Sequence, residues 1–158
     1  MDVAIFFGSK SDTEVMKKAA GVLKEFGIDY KAFVISAHRA PEALRETVKK
    51  AESQGVKVFI AGAGLAAHLP GVIASMTSLP VIGVPILSGG LGGLDALLAI
   101  VQMPKPVPVA TVGINNAANA AFLALEILAT GDETLKNRLS EYKKKTAEEF
   151  SADAEIEI

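Results

Sequence analysis

The stretch Val3–Asp12 reads VAIFFGSKSD: five apolar residues in a row, then a glycine, then a short polar run. An apolar run with no polar alternation marks a strand buried on both faces, as in the middle of a parallel sheet covered by crossover helices. Beyond it, Val15, Ala19, Val22, Leu23 and Phe26 recur at helical spacing, with Lys17, Lys18 and Lys24 elsewhere on the helix and Gly27 as the stop. This strand-then-helix pattern repeats along the chain. Tyr30–Ile35 is predicted as the second strand, and Pro41 opens a helix running to about Gln54. Val58–Ala61, Val81–Val84 and Pro108–Val112 read as the remaining strands. Leu94–Gln102 and Ala117–Ala129 read as helices; so does the charged tail Asp132–Phe150, whose sparse apolar positions suit packing on a neighbouring subunit. The expectation is a single-domain, three-layer α/β/α fold over residues 1–158: a five-stranded parallel sheet, flavodoxin-like or Rossmann-like, plus a C-terminal helix.

A chain of 158 residues that is 50% hydrophobic fits one domain with a continuous core. Its formal charge of −2 offers no basic field for a nucleic acid backbone or an anionic membrane, so neither is expected as a partner. The absence of cysteine excludes a disulfide framework, a thiol nucleophile and a thiolate metal site. Together with an N-terminus that enters a strand without a signal peptide, it points to the cytoplasm. Val58–Leu94 contains no Asp, Glu, Lys or Arg, yet its prolines and glycines cut it into pieces far shorter than the roughly 20 residues of a membrane span. From Val58 to Leu125 the only charges are Asp95 and Lys105, so this region is either domain interior or also a subunit interface.

In open parallel sheets, ligands bind outside the carboxyl ends of the strands, where the strand order switches direction. Three such ends carry reactive side chains: GSKSD (Gly8–Asp12), SAHRAPE (Ser36–Glu42) and GAGLAAHLPG (Gly62–Gly71). Both histidines of the chain, His38 and His68, therefore fall on one edge of one sheet. Ser11 with Glu14 fits a capping box, which needs no ligand; a glycine and two hydroxyls at a helix start equally suit an anion. Asp12 would repel a phosphate and suits the hydroxyls of a ribose. Ser36, Arg39 and the helix N-terminus at Pro41 make a phosphate cradle. His38 beside them is either a general acid and base, since imidazole exchanges protons near neutral pH, or a structural histidine bonded to backbone.

Gly62, Gly64 and Ala67 imitate a dinucleotide fingerprint, but the acid expected about 20 residues on is missing from VIGVPIL (Val81–Leu87). The glycines fit a close approach of backbone to a ligand or to another chain. No HxxxH or HExxH spacing supports a metal, and no GxxxxGK[ST] loop supports ATP.

GSKSD, SAHR, AGAG-x-AAHLPG, LPVIGVP, the IVQMP segment and PVATV, spread from Gly8 to about Asn119, resemble the PurE family in order and spacing. The resemblance implies a step of de novo purine biosynthesis without metal, ATP or organic cofactor. The mutase class of that family moves a carboxylate of N5-carboxyaminoimidazole ribonucleotide from the exocyclic nitrogen to ring carbon four, and AAHLPG with His68 favours this class over the carboxylase class. It implies contacts from Ser9, Asp12 on the ribose, phosphate binding by Ser11, Ser36 and Arg39, and acid–base catalysis by His38. It further implies His68, beside the Gly64 backbone, at the rim of the same pocket, where it helps bind or position the carboxylate. LSGGLGGLD, Leu87–Asp95, would close over the substrate, and the subunits would form a homo-octamer. Leu65, Ala40 and Pro106 depart from the family's usual glycine, threonine and glycine, and LSGGLGG from its usual loop. Two alternatives stay open: a carboxylase using free carbon dioxide, and a non-enzymatic nucleotide-binding module.

Overall fold

A computed structural model describes residues Met1 to Ala152. Five parallel strands, β1 (Val3–Phe7), β2 (Tyr30–Val34), β3 (Val58–Gly64), β4 (Val81–Ile86) and β5 (Ala110–Thr111), form one sheet in the order β2-β1-β3-β4-β5. The helices are α1 (Thr13–Glu25), α2 (Pro41–Ser53), α3 (Leu69–Ala74), α4 (Leu94–Val101), α5 (Ala117–Ala129) and α6 (Glu133–Ala152). This is the flavodoxin-like strand order, with its switch point between β1 and β3. VAIFF is central, and all five of its residues are buried.

Alternation along the strands divides the core. Ala4, Phe6, Phe59, Ala61, Ala63 and Val81 pack with Leu44 and Val48 of α2, Ile73 of α3 and Ile100 of α4. Phe6 stacks on Phe33 of β2 at 4.9 Å and meets Phe59 at 6.0 Å. On the opposite face, Met16 of α1 fills the space beside Gly62, and Phe26 stands edge-on to Phe122 of α5 at 6.0 Å. By compactness the chain divides into Met1–Ala124 and a second unit beginning at Leu125. Within the second, Asp132 Oδ1 accepts from the Leu135 amide at 3.0 Å at the start of α6, and Lys143 pairs with Glu126 at 2.6 Å.

Four local expectations change. GAG of Gly62–Gly64 is strand rather than loop: β3 runs to Gly64, paired with β4 as far as Ile86. These positions are glycine because a Cβ on Gly62 would strike Met16, and one on Gly64 would lie 2.6 Å from Ser88 Oγ. AAHLPG continues into α3, a helix of six residues and so too short to display an apolar stripe. The predicted fifth strand shrinks to Ala110–Thr111, since Pro106 and Pro108 before it have no N–H for a ladder. The Ser11–Glu14 capping box does not form: Lys10–Asp12 make a 3-10 turn capped by Ser9, and Glu14 pairs with Lys17 at 2.6 Å. Among the described residues, no helix is long and apolar enough to cross a membrane.

Candidate active site

The strand registers bring three loops to one sheet edge. Phe7 of β1 lies level with Val34 of β2 and Gly62 of β3, so Gly8, Ser36 and Leu65 leave the sheet on the same side. Between these loops lies a cavity of about 500 Å³, within the usual range for a small-molecule site. Ser9, Ser11, Asp12, Ser36, His38, Arg39, Gly64 and His68, all singled out in the sequence, line it.

The β1 loop turns back on itself through its hydroxyls. Ser9 Oγ accepts from the Ser11 amide at 3.3 Å, and Ser11 Oγ lies 2.8 Å from Ser9 Oγ and 3.1 Å from Asp12 Oδ1. One hydroxyl proton serves one acceptor at a time, so Ser11 can turn to a ligand without losing both partners. Asp12 is 8% exposed, a carboxylate held in the cavity wall.

The β2 loop is tied down at Arg39. Its guanidinium donates to the Gly8 carbonyl at 3.2 Å, its backbone N–H to Ser36 Oγ at 3.4 Å, and the Ala40 amide donates to the Ser36 carbonyl at 3.0 Å. α2 then starts with Ala40 as N-cap and Pro41 in its first turn, without a side-chain cap. Its first-turn amides therefore lack the side-chain acceptor that most helix starts have, beside a fixed guanidinium. Free helix-start amides beside a guanidinium are groups that can hold an anion.

The β3 loop brings His68, exposed, to the cavity wall through two residues in the left-handed region, Leu65 at φ 55° and Ala67 at φ 41°. His38 Nε2 and His68 Nδ1 meet at 2.6 Å, with the rings edge to face. One of these nitrogens carries the proton between them and the other accepts it, so the imidazoles act as a pair. The rest of this wall is apolar: Ala37, Ala63, Ala66, Ala67 and Leu69. Among the described residues, no three His, Cys, Asp or Glu side chains gather as a metal site requires.

The cavity thus has the Arg39 guanidinium and the uncapped start of α2 at one end, a carboxylate at Asp12, and a histidine pair against an uncharged wall. Residues 2–149 match the model of the family described as AIR carboxylase. The chain belongs to the AIR carboxylase family. It is 60% identical over 142 residues to the N5-carboxyaminoimidazole ribonucleotide mutase of Pyrococcus horikoshii, covering 90% of this chain and 80% of that protein. It is 53% identical over 153 residues to the protein of the same name from Thermotoga maritima, covering 97% and 90%. The crystal structure of Treponema denticola PurE superposes with a TM-score of 0.88 at 30% identity, covering 96% of this chain and 94% of that one.

In this AIR carboxylase family member two further residues line the cavity. Ser88, from the Leu87–Asp95 segment expected to close over the substrate, was not named individually; it reaches the wall from just past the end of β4, where the strand-end rule that found the other loops also points. Leu65 lines the cavity as well, although apolar and 55% exposed.

Proposed function

We propose that this chain is an N5-carboxyaminoimidazole ribonucleotide mutase of de novo purine biosynthesis, an isomerase that produces 4-carboxy-5-aminoimidazole ribonucleotide. Arg39, Ser36, Ser11 and the first amides of α2 hold the phosphate, because charge-assisted bonds and a helix N-terminus converge there. Asp12 accepts from the ribose hydroxyls, with Ser9 beside it. This places the base at the histidine pair and the apolar wall, next to the Gly64 backbone.

The transfer balances without an added oxidant, nucleotide or metal. His38 gives a proton to the exocyclic nitrogen as the nitrogen–carbon bond of the carbamate breaks, releasing carbon dioxide. Ring carbon four then attacks that carbon dioxide, a carbon–carbon bond forms, and the ring proton leaves to His38, which ends as it began. His68 holds His38 in position and faces the carboxylate. Released carbon dioxide must stay beside the ring while water is kept out, which suits a wall of small uncharged residues.

The observation that carries the reading is the meeting, at 2.6 Å, of two histidines 30 residues apart, in the cavity that also holds Arg39 and Asp12. The test supplies the carbamate, and separately aminoimidazole ribonucleotide with carbon dioxide, each without ATP. Product from the second alone would replace the mutase with the carboxylase.

A single catalytic domain over residues 1–158 is supported by a family match that runs across both compact units. Self-association, as the homo-octamer that the family resemblance implies, is supported by Leu94, Leu98 and Val101, which are 45–54% exposed and recur at helical spacing along α4. The cytoplasm suits a cysteine-free enzyme of nucleotide synthesis.

A further inference from the structure

Leu65 has a backbone suited to glycine and a side chain suited to a core, and the fold gives it neither. Its φ is 55°, where a branched side chain is strained, and it remains 55% exposed at the wall of the cavity. Burial therefore does not offset the strain. What the side chain does touch is Gly89: a Cβ built there would lie 3.0 Å from Leu65 Cδ2.

Gly89 belongs to the loop between β4 and α4, which is fixed at its two ends. The Leu87 amide donates to Asn115 Oδ1 at 2.9 Å, and Gly93 lies so close to Ile114 that an added Cβ would be 2.8 Å from it. Between these points run Gly89, Gly90 and Gly92, with Leu87 and Leu91 53% and 69% exposed. Ser88 of this segment already lines the cavity. Exposed leucines thus stand on two apposed loops at the mouth of the site, joined at Leu65 and Gly89.

We propose that Leu65 is a positioning residue that seats the Leu87–Gly93 loop over the filled cavity, so that carbon dioxide released in the first half of the transfer is retained for the second. This rests on the mutase reading. The step at stake is the partition of released carbon dioxide: capture by ring carbon four gives product, whereas escape leaves aminoimidazole ribonucleotide.

The test follows carbamate labelled with carbon-13 in its carboxylate, in buffer equilibrated with unlabelled carbon dioxide, using wild type and the Leu65→Gly, Leu65→Ala and Leu65→Met variants. Leu65→Gly and Leu65→Ala are expected to raise the ratio of free aminoimidazole ribonucleotide and lost label to labelled product by about tenfold, the factor given by about 1.4 kcal/mol of lost contact. Leu65→Met, similar in volume, restores retention. A residue serving only to fold the loop would lower turnover and leave this ratio alone. An active wild type with an unchanged ratio in both truncations overturns this inference and leaves the mutase reading standing. A wild type inert toward the carbamate overturns both.

Discussion

Gly64→Ala probes the point where β3 delivers its loop to the site. The added Cβ would lie 2.6 Å from Ser88 Oγ, 3.0 Å from Ser88 Cβ and 3.0 Å from the Ile86 carbonyl oxygen. The hydroxyl can rotate away, but the Ile86 carbonyl is backbone at the end of β4 and cannot yield without displacing the strand pair. Overpacking of this kind costs about 1–3 kcal/mol, which for a domain of this size lowers Tm by about 2–12 °C. The same shift moves Ser88 and the β3 loop, and a displacement of about 1 Å in a catalytic constellation costs about 10²-fold in kcat/KM. Gly21→Ala is the matched control: it lies within α1 and an added Cβ meets nothing within 4 Å. Alanine in a helix interior is worth about 0.5–1 kcal/mol over glycine, so Tm should rise by about 1–4 °C with kcat/KM unchanged. Differential scanning calorimetry and mutase kinetics on both variants decide the matter. A Gly64→Ala protein that melts with wild type and turns over at its rate would refute the close approach of β3 and Ser88.

Arg39→Met removes charge-assisted bonds worth about 1.5–3 kcal/mol, so KM should rise about 10- to 150-fold with kcat changed far less; an unchanged KM would place the phosphate elsewhere. Phe59→Ala empties a fully buried site beside Phe6 and should cost about 3–5 kcal/mol in urea unfolding; a loss below 1 kcal/mol would mean that this core rearranges freely. Leu98→Glu places a charge on the exposed face of α4. Light scattering should then report smaller assemblies than wild type, whereas an unchanged mass would remove α4 from the interface.

The fold was legible where one physical signal dominated. VAIFF could only be central, because no polar residue interrupts it, and Pro41 marks the first turn of α2 from sequence alone. Both histidines could be assigned to one edge for the same reason: each follows a strand. Their 2.6 Å contact was not legible, because it depends on strand register and on the left-handed turns at Leu65 and Ala67, residues whose side chains give no hint of that conformation. The glycines of GAG read as a loop beyond the strand that allows a close approach of backbone, yet they are strand residues kept small by Met16 and Ser88, neighbours distant in sequence. Within the uncharged stretch β3 and β4 are interior, while Leu94, Leu98 and Val101 of α4 are exposed, a difference that the lack of charge does not reveal.

The most direct test of the central claim is turnover of N5-carboxyaminoimidazole ribonucleotide, without ATP, by wild type and by His38→Asn. Mutase chemistry predicts ring-carboxylated product from wild type. In the variant it predicts turnover lower by about 10²- to 10⁴-fold, with the circular dichroism spectrum and melting temperature retained. Equal turnover by a folded His38→Asn protein would contradict His38 as the group that carries the proton between nitrogen and ring carbon.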